Sequence, residues 1–378
     1  MSPPLILAGG GHAHLAVLED WAANPLPGPL PDIRRLLVTP SRYTAYSGMV
    51  PGWMAGIYRA DDLLIDLEPL ARAACAELRI DRVTGLDADA RRLHLASGDV
   101  VDFALLSLAT GGEADLDGLA PLGPRLLPLR PVAGFLARWP ALVDAAKRGE
   151  VASLAVVGGG AAGMEIALAA EAALRGCGVA IALVTPPDGL LTGHNPRVRA
   201  MAKAELARRG IALHLALATG KADGLALSDG THVFVDRVIA ATGSRAPAWL
   251  AQSGLALTRQ GFVAIGPDLR SLSHPVIFAA GDLAQRTDRA LPRSGVHAVK
   301  AGPVLAANLR AALTSAPGSR YTPRRHTLYL LATGDKRAIG SWGPLAFSGR
   351  AAWWLKDWID RSFVGRYRVG KTGCGDPK

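Results

Sequence analysis

A repeat constrains this chain more than any other feature. "LILAGGGHAHL" (Leu5 to Leu15) runs an apolar stretch into three glycines and then a helical pattern through Trp21, and "RRLLVTP" (Arg34 to Pro40) follows. Far downstream, "SLAVVGGGAAGMEIALAAEAAL" (Ser153 to Leu174) and "AIALVTP" (Ala180 to Pro186) repeat that order, down to the closing Val-Thr-Pro. Strand, glycine turn, helix and second strand form a β-α-β unit, which pairs its strands in parallel. Two such units predict an α/β protein with two Rossmann-type, nucleotide-binding domains.

The glycines carry specific demands. In "GGGAAGME", Gly158 makes the turn, Gly160 lets the backbone reach a pyrophosphate, and Gly163 lets helix and strand pack closely. The free N–H groups and positive end of the helix dipole then suit an anion. The N-terminal copy keeps Gly9 and Gly11 but has His14 at the third glycine position, so its side chain is expected to point away or to push the helix outward. His12 and His14 read either as polar filler or as donors to a bound phosphate; neither has an evident acid or base partner. Thr39 and Thr185 stand at the strand ends where an acid usually binds a ribose 2′-hydroxyl. Without that carboxylate, NADPH is as acceptable as NADH. Glu165 either complements the helix dipole or approaches a nicotinamide.

Two further phrases resemble each other: "LLSLATGG" (Leu105 to Gly112) and "RVIAATGS" (Arg237 to Ser244). Each runs an apolar strand into Thr-Gly, at Thr110-Gly111 and Thr242-Gly243, where the chain turns sharply beside a ligand. "HPVIFAAGDLA" ends a buried strand in Gly281-Asp282, and a carboxylate there needs a partner.

The remaining composition narrows the classes. At 378 residues with 49% hydrophobic content, the chain holds more than one packed domain. The net charge of +10 favours anionic partners, yet no nucleic-acid motif accompanies it. No basic leader precedes the first strand, and the longest stretch free of both charged residues and histidine, the 16 residues from Tyr43 to Tyr58, is too short to span a bilayer. A cytoplasmic protein is expected. Cys75, Cys177 and Cys374 lack metal or C-x-x-C spacing and read as incidental thiols. No metal site is expected.

Together the two dinucleotide units, the two Thr-Gly ends and the late Gly-Asp resemble the pyridine nucleotide-disulfide oxidoreductase superfamily over about residues 4–310, and its type II NADH dehydrogenase-like branch in particular. "GGGHAH", "SRYTAYSGMVPGWMAGIY", "GVHAVKAGPVLAANL" and "WWLKDWIDRSF" resemble, more narrowly, flavoproteins found alone or fused to selenide, water dikinase. That resemblance implies an NAD(P)H domain (121–259) inserted into an FAD domain (1–120 and 260–318), with a C-terminal segment (319–378). It implies FAD held by Gly9, Gly11, His12, Ala13, Thr39, Ser41, Arg42, Val83, Thr110, Gly111, Gly281, Asp282 and Ala298. It places NADH or NADPH on Gly158, Gly160, Gly163, Glu165, Thr185, Thr242 and Gly243. Asp282 would bind the ribityl chain, Val83 would lie near the adenine, and Tyr46 to Gly52 would cover the flavin ring. The implied reaction passes hydride from NAD(P)H through FAD to a small electron acceptor such as a quinone, with no catalytic side chain required. A selenium or sulfur acceptor, or a non-catalytic redox sensor, are the alternatives. Lys300 and Ala301 replace the paired glutamines that the branch carries beside its quinone, and no cysteine pair occupies the first segment.

Residues 351–363, "AAWWLKDWIDRSF", give an amphipathic helix. Trp354, Leu355, Trp358, Ile359 and Phe363 share one half of the wheel; Lys356, Asp357, Asp360 and Arg361 share the other, with Trp353 among them. The apolar half either packs on the core or forms a membrane or homodimer contact, flanked by Arg350, Arg366, Arg368 and Lys371.

Overall fold

The computed structural model describes residues 3–24, 33–289, 291–293 and 295–368; Lys371 and Cys374 lie outside the described residues. Strands β1 (Leu5–Ala8), β2 (Arg35–Thr39), β3 (Ala76–Ile80) and β4 (Leu105–Leu108) lie parallel in the spatial order β3-β2-β1-β4. Every β1 residue is fully buried, as a strand covered on both faces requires, which explains its unbroken apolar run. Helix α1 (His12–Ala23) connects β1 to β2.

A second parallel sheet contains β5 (Leu126–Pro128), β6 (Ser153–Val157), β7 (Ala180–Thr185), β8 (Ala212–Leu215) and β9 (Arg237–Ala240), ordered β5-β9-β6-β7-β8. Helix α2 (Ala161–Leu174) leaves β6 and α3 (Pro196–Arg208) precedes β8. The chain then returns to the first sheet, where β10 (Ile277–Ala279) pairs with β4. Helix α4 (Gly295–Leu313) follows and packs on α1 closely enough that a Cβ on Gly302 would lie 2.7 Å from that of Ala16. Both sheets are thus doubly wound, and each changes direction beside its central strand: β1 against β4, and β6 against β9. Ligands of such sheets bind at those switch points, outside the carboxyl ends of the strands.

An antiparallel sheet of β11 (Leu328–Ala332), β12 (Ala338–Trp342) and β13 (Leu345–Gly349) ends the fold, followed by helix α5 (Arg350–Arg366). Its β11–β12 turn is fixed to the second sheet through Arg209. That guanidinium, 2% exposed, meets Glu171 at 2.7 Å, Glu205 at 2.8 Å and Asp335 at 2.7 Å.

Of the two orientations open to helix α5, the structure shows the one that leaves most of the apolar half outward, with Phe363 turned in against Tyr46. Trp353, Lys356, Asp360 and Val364 are buried, while Trp354 and Trp358 are 65% and 66% exposed and Leu355 is 38% exposed. Burial of the charged half is possible because the charges satisfy one another and the chain beneath. Lys356 Nζ donates to Asp360 at 2.9 Å and to the Gly48 carbonyl at 2.9 Å, and an unpaired charge there would be costly.

The thiols also differ from expectation. Cys177 is free, but Cys75 is disulfide-bonded. Cys75 immediately precedes β3, at the amino edge of a parallel sheet whose glycine loops lie at the carboxyl edge. It faces away from the site described next.

Candidate active site

The two glycine loops are built alike. A Cβ on Gly9 (φ +99°) would lie 2.5 Å from the Ala109 carbonyl, and one on Gly11 at the same distance from that oxygen. A Cβ on Gly158 (φ +138°) would lie 2.2 Å from the Ala241 carbonyl. In both sheets the residue before the Thr-Gly pair therefore presses on the turn, which only glycine allows. Thr39 and Thr185 are buried against the middle glycines: Thr39 Oγ1 would meet a Cβ on Gly10 at 3.1 Å, and Thr185 Oγ1 one on Gly159 at 1.7 Å. The Thr185 hydroxyl donates to the Gly189 carbonyl at 3.1 Å. The shared Val-Thr-Pro is thus a packing device under each loop.

Position 14 is treated differently in the two helices. In α2, a Cβ on Gly163 would lie 1.8 Å from the Gly158 carbonyl, so close packing excludes a side chain. In α1, the first of the two expected outcomes is not met: the His14 side chain does not point away and is 1% exposed. Its Nδ1–H donates to the Gly9 carbonyl at 2.6 Å, and its Nε2 accepts from the Ser107 hydroxyl at 2.8 Å. A carbonyl only accepts, so the Nδ1 tautomer is fixed. Burial lowers the His14 pKa to about 4, keeping the ring neutral. Where α2 has direct contact with the first loop carbonyl, α1 has a hydrogen-bonded ring, which joins loop, helix and β4.

Neither α1 nor α2 has a side-chain hydrogen bond capping its first turn, Gly11 and Gly160 being the cap residues. Those N–H groups suit the pyrophosphates of two dinucleotides. Thr110 and Thr242 lie on a ribbon joining the two switch points: Glu113–Ala114 pairs with Ser244–Arg245, and Thr242 donates to the Asp115 carbonyl at 2.7 Å. Ser41 accepts from the Tyr43 N–H, and Arg42 is paired with Asp66 at 2.6 Å and Glu68 at 2.5 Å. Val83 is buried in a separate hairpin opposite Leu95.

Asp282 does have the partner that its burial demands: Arg130, in the segment after β5, forms an ion pair with Oδ2. A cavity runs from Gly281, Asp282 and Ala298 past Arg293 and His297 to Tyr321. At its other side the start of α4 approaches His12, with a Cβ on Gly295 3.9 Å from His12 Nδ1. His12 Nε2 is buried without a hydrogen-bond partner, an open donor or acceptor beside the first loop. Burial lowers the His12 pKa, against the attraction of Asp282.

The sequence did not reveal the polar cluster between the two loops. Tyr46 stacks on Phe363 with centroids 4.4 Å apart, and His12 meets both rings edge-on. The Tyr46 hydroxyl bonds Asp360, which pairs with Lys356. Glu165 completes the cluster. It is the fifth residue of α2, not a first-turn residue, and its Oε1 accepts from the Ala332 N–H at 2.7 Å. Burial is the largest influence on Glu165 and pushes its pKa up to about 7, despite the charge of Lys356. Burial works against the Lys356 charge too, but Glu165 and Asp360 outweigh it and raise its pKa. The available signal was the i, i+4 pair Lys356/Asp360, which is ordinarily a solvated feature.

Two switch points, two uncapped helix ends and an acid of near-neutral pKa between them define a two-nucleotide oxidoreductase. The sequence matches the model of the "Pyridine nucleotide-disulphide oxidoreductase" family over residues 35–302, and the chain belongs to that family. It is an NAD(P)H-dependent flavoenzyme whose cofactors are FAD and a nicotinamide nucleotide. The chain is 26% identical to ferroptosis suppressor protein 1 of Taeniopygia guttata over 276 residues, covering 69% of this chain and 70% of that one. It is 28% identical to an NADH dehydrogenase-like protein of Mycobacterium tuberculosis over 220 residues, 53% of this chain and 54% of the relative. The sulfide:quinone oxidoreductase of Aquifex aeolicus has the same fold, with a TM-score of 0.79 at 17% identity over 97% of this chain and 92% of that one.

Proposed function

We propose that the chain transfers hydride from NAD(P)H to FAD and that its two electrons pass to a small quinone-like acceptor, whose two protons come from the hydride's own hydrogen and from Glu165. The observation that carries this reading is the Glu165–Lys356–Asp360–Tyr46 cluster, set between the two glycine loops. FAD supplies the electron relay; the chain's residues position it and handle the proton. Gly9, Gly11 and the start of α1 would hold one pyrophosphate, Gly158 and Gly160 the other. The free Asp282 oxygen would accept from a ribityl hydroxyl while Arg130 holds the other oxygen. Lys356, fixed on Gly48, would favour a developing oxyanion on the acceptor. With a pKa near 7, Glu165 exists in both protonation states at neutral pH, as proton donation and recharging require.

Anaerobic mixing of the flavin-loaded enzyme with NADH and with NADPH tests the first half. Loss of oxidised-flavin absorbance with at least one nucleotide is expected; a flavin that stays oxidised with both refutes the reading. Reoxidation by a short-chain quinone, compared with selenium and sulfur compounds, then identifies the acceptor class.

The exposed Trp354, Leu355 and Trp358 favour a lipid surface as the place where such an acceptor is met. Tryptophan suits the bilayer interface, and Arg350 and Arg368 add charge that anionic lipid attracts, whereas Arg361 and Arg366 are paired with Asp357 and Glu19. No helix among the described residues is long and apolar enough to cross a membrane, so the contact would be peripheral. Sedimentation with phosphatidylglycerol vesicles at low salt should carry the protein down, and Trp354→Ser with Trp358→Ser should weaken that binding about tenfold or more. Equal sedimentation of the double variant, or a stable dimer built on this face, would refute the lipid contact.

A further inference from the structure

Outside the active site an open inlet is lined by Arg286, Asp288, Arg289, Arg320, Tyr321 and Thr322, with two prolines. Three guanidinium groups there face one carboxylate. Asp288 is already engaged: Arg286 grips it with a fork, Nε at 2.9 Å and Nη2 at 2.5 Å. Arg289 and Arg320 are exposed, and the Arg320 charge also acts on Asp288, so that one carboxylate is shared between two guanidinium groups.

The wall of the inlet is held rigidly for an irregular segment. Asn308, 1% exposed, donates to the carbonyls of Asp268 (2.6 Å) and Ser319 (2.9 Å) and accepts from the Ser319 N–H at 2.6 Å. The Tyr321 N–H donates to the Pro267 carbonyl at 2.7 Å, Arg286 donates to the Tyr321 carbonyl at 2.5 Å, and the Tyr321 hydroxyl meets His297 Nδ1 at 3.1 Å. Buried groups on three sides therefore fix the loop that presents Arg320 and Thr322. Preorganised cations with excess positive charge in a concave, partly water-excluded space repel each other until an anion joins them.

We infer that this inlet is a binding site for a small oxyanion. Guanidinium forks match the paired oxygens of phosphate, sulfate or carboxylate, and Thr322 adds a hydroxyl donor. The inlet shares Arg286 and Tyr321 with the cavity leading to Asp282 and Ala298, so a bound anion would stand at the outer end of that passage. The inference holds whichever electron acceptor the enzyme uses.

Calorimetric titration of inorganic phosphate into flavin-loaded enzyme saturated with NAD+, at ionic strength fixed by sodium chloride, tests it. Filling both glycine loops beforehand removes them as phosphate sites. Saturable binding at one site is expected, weakened about tenfold or more in Arg289→Met with Arg320→Met. Both side chains are exposed, so the double variant should keep its thermal midpoint and flavin spectrum. Parallel titrations with sulfate and acetate distinguish a tetrahedral from a carboxylate preference. No saturable binding of any of the three, or equal affinity in the double variant, overturns the site.

Discussion

Glu165→Gln is expected to slow flavin reoxidation by the acceptor about 100-fold while changing flavin reduction by NAD(P)H less than about tenfold, within the usual range for loss of a general acid. Glutamine keeps the oxygen that accepts from the Ala332 N–H, so the α2–β11 contact survives and only the exchangeable proton is lost. Lys356 retains Asp360 and the Gly48 carbonyl. The pH profile gives the second readout. The Glu165 pKa is raised to about 7, chiefly by burial, so the proton-donating form dominates below pH 7 and disappears above it. Wild-type reoxidation should therefore fall as pH rises through about 7, and Glu165→Gln should lose that limb. Slowing of the reductive half alone would move Glu165 to the nicotinamide. Unchanged kinetics in both halves would remove it from the reaction.

Local rules made much of this molecule legible. Each glycine loop is dictated by contacts a few residues away in sequence, or against the next strand end, and the repeated Val-Thr-Pro marks both. Helix α5 was not legible, because its orientation is set by what lies under it. On a wheel, Lys356 and Asp360 belong with solvent. In the fold they meet the Gly48 carbonyl, the Tyr46 hydroxyl and the charge of Glu165, and these come from segments more than 180 positions away. A pattern rule weighs only the helix itself, whereas burial of a charge is decided by its distant partners. The same holds for Asp282, whose need for a partner was evident but whose partner, Arg130, was not.

His14→Ala is expected to destabilise the flavin-binding sheet by about 3 kcal/mol at neutral pH, since it leaves the buried Gly9 carbonyl and Ser107 hydroxyl unpaired and opens a void. The effect should shrink in acid. His14 titrates near 4 in the folded chain against 6.5 when exposed, so between those values the unfolded state binds the extra proton and the folded state does not. Wild-type stability from this group is full above pH 6.5, declines as pH falls, and is about 3 kcal/mol lower once pH 4 is passed. Alanine has nothing to titrate, and the other groups are common to both proteins. Urea unfolding of the flavin-free chains should thus show a wide gap at pH 7 that nearly closes toward pH 4. A gap of constant width would mean that the ring does not bear the proton balance its burial implies. Flavin affinity should fall with the same substitution even where the chain stays folded, because the carbonyl that His14 fixes belongs to the turn that meets the pyrophosphate.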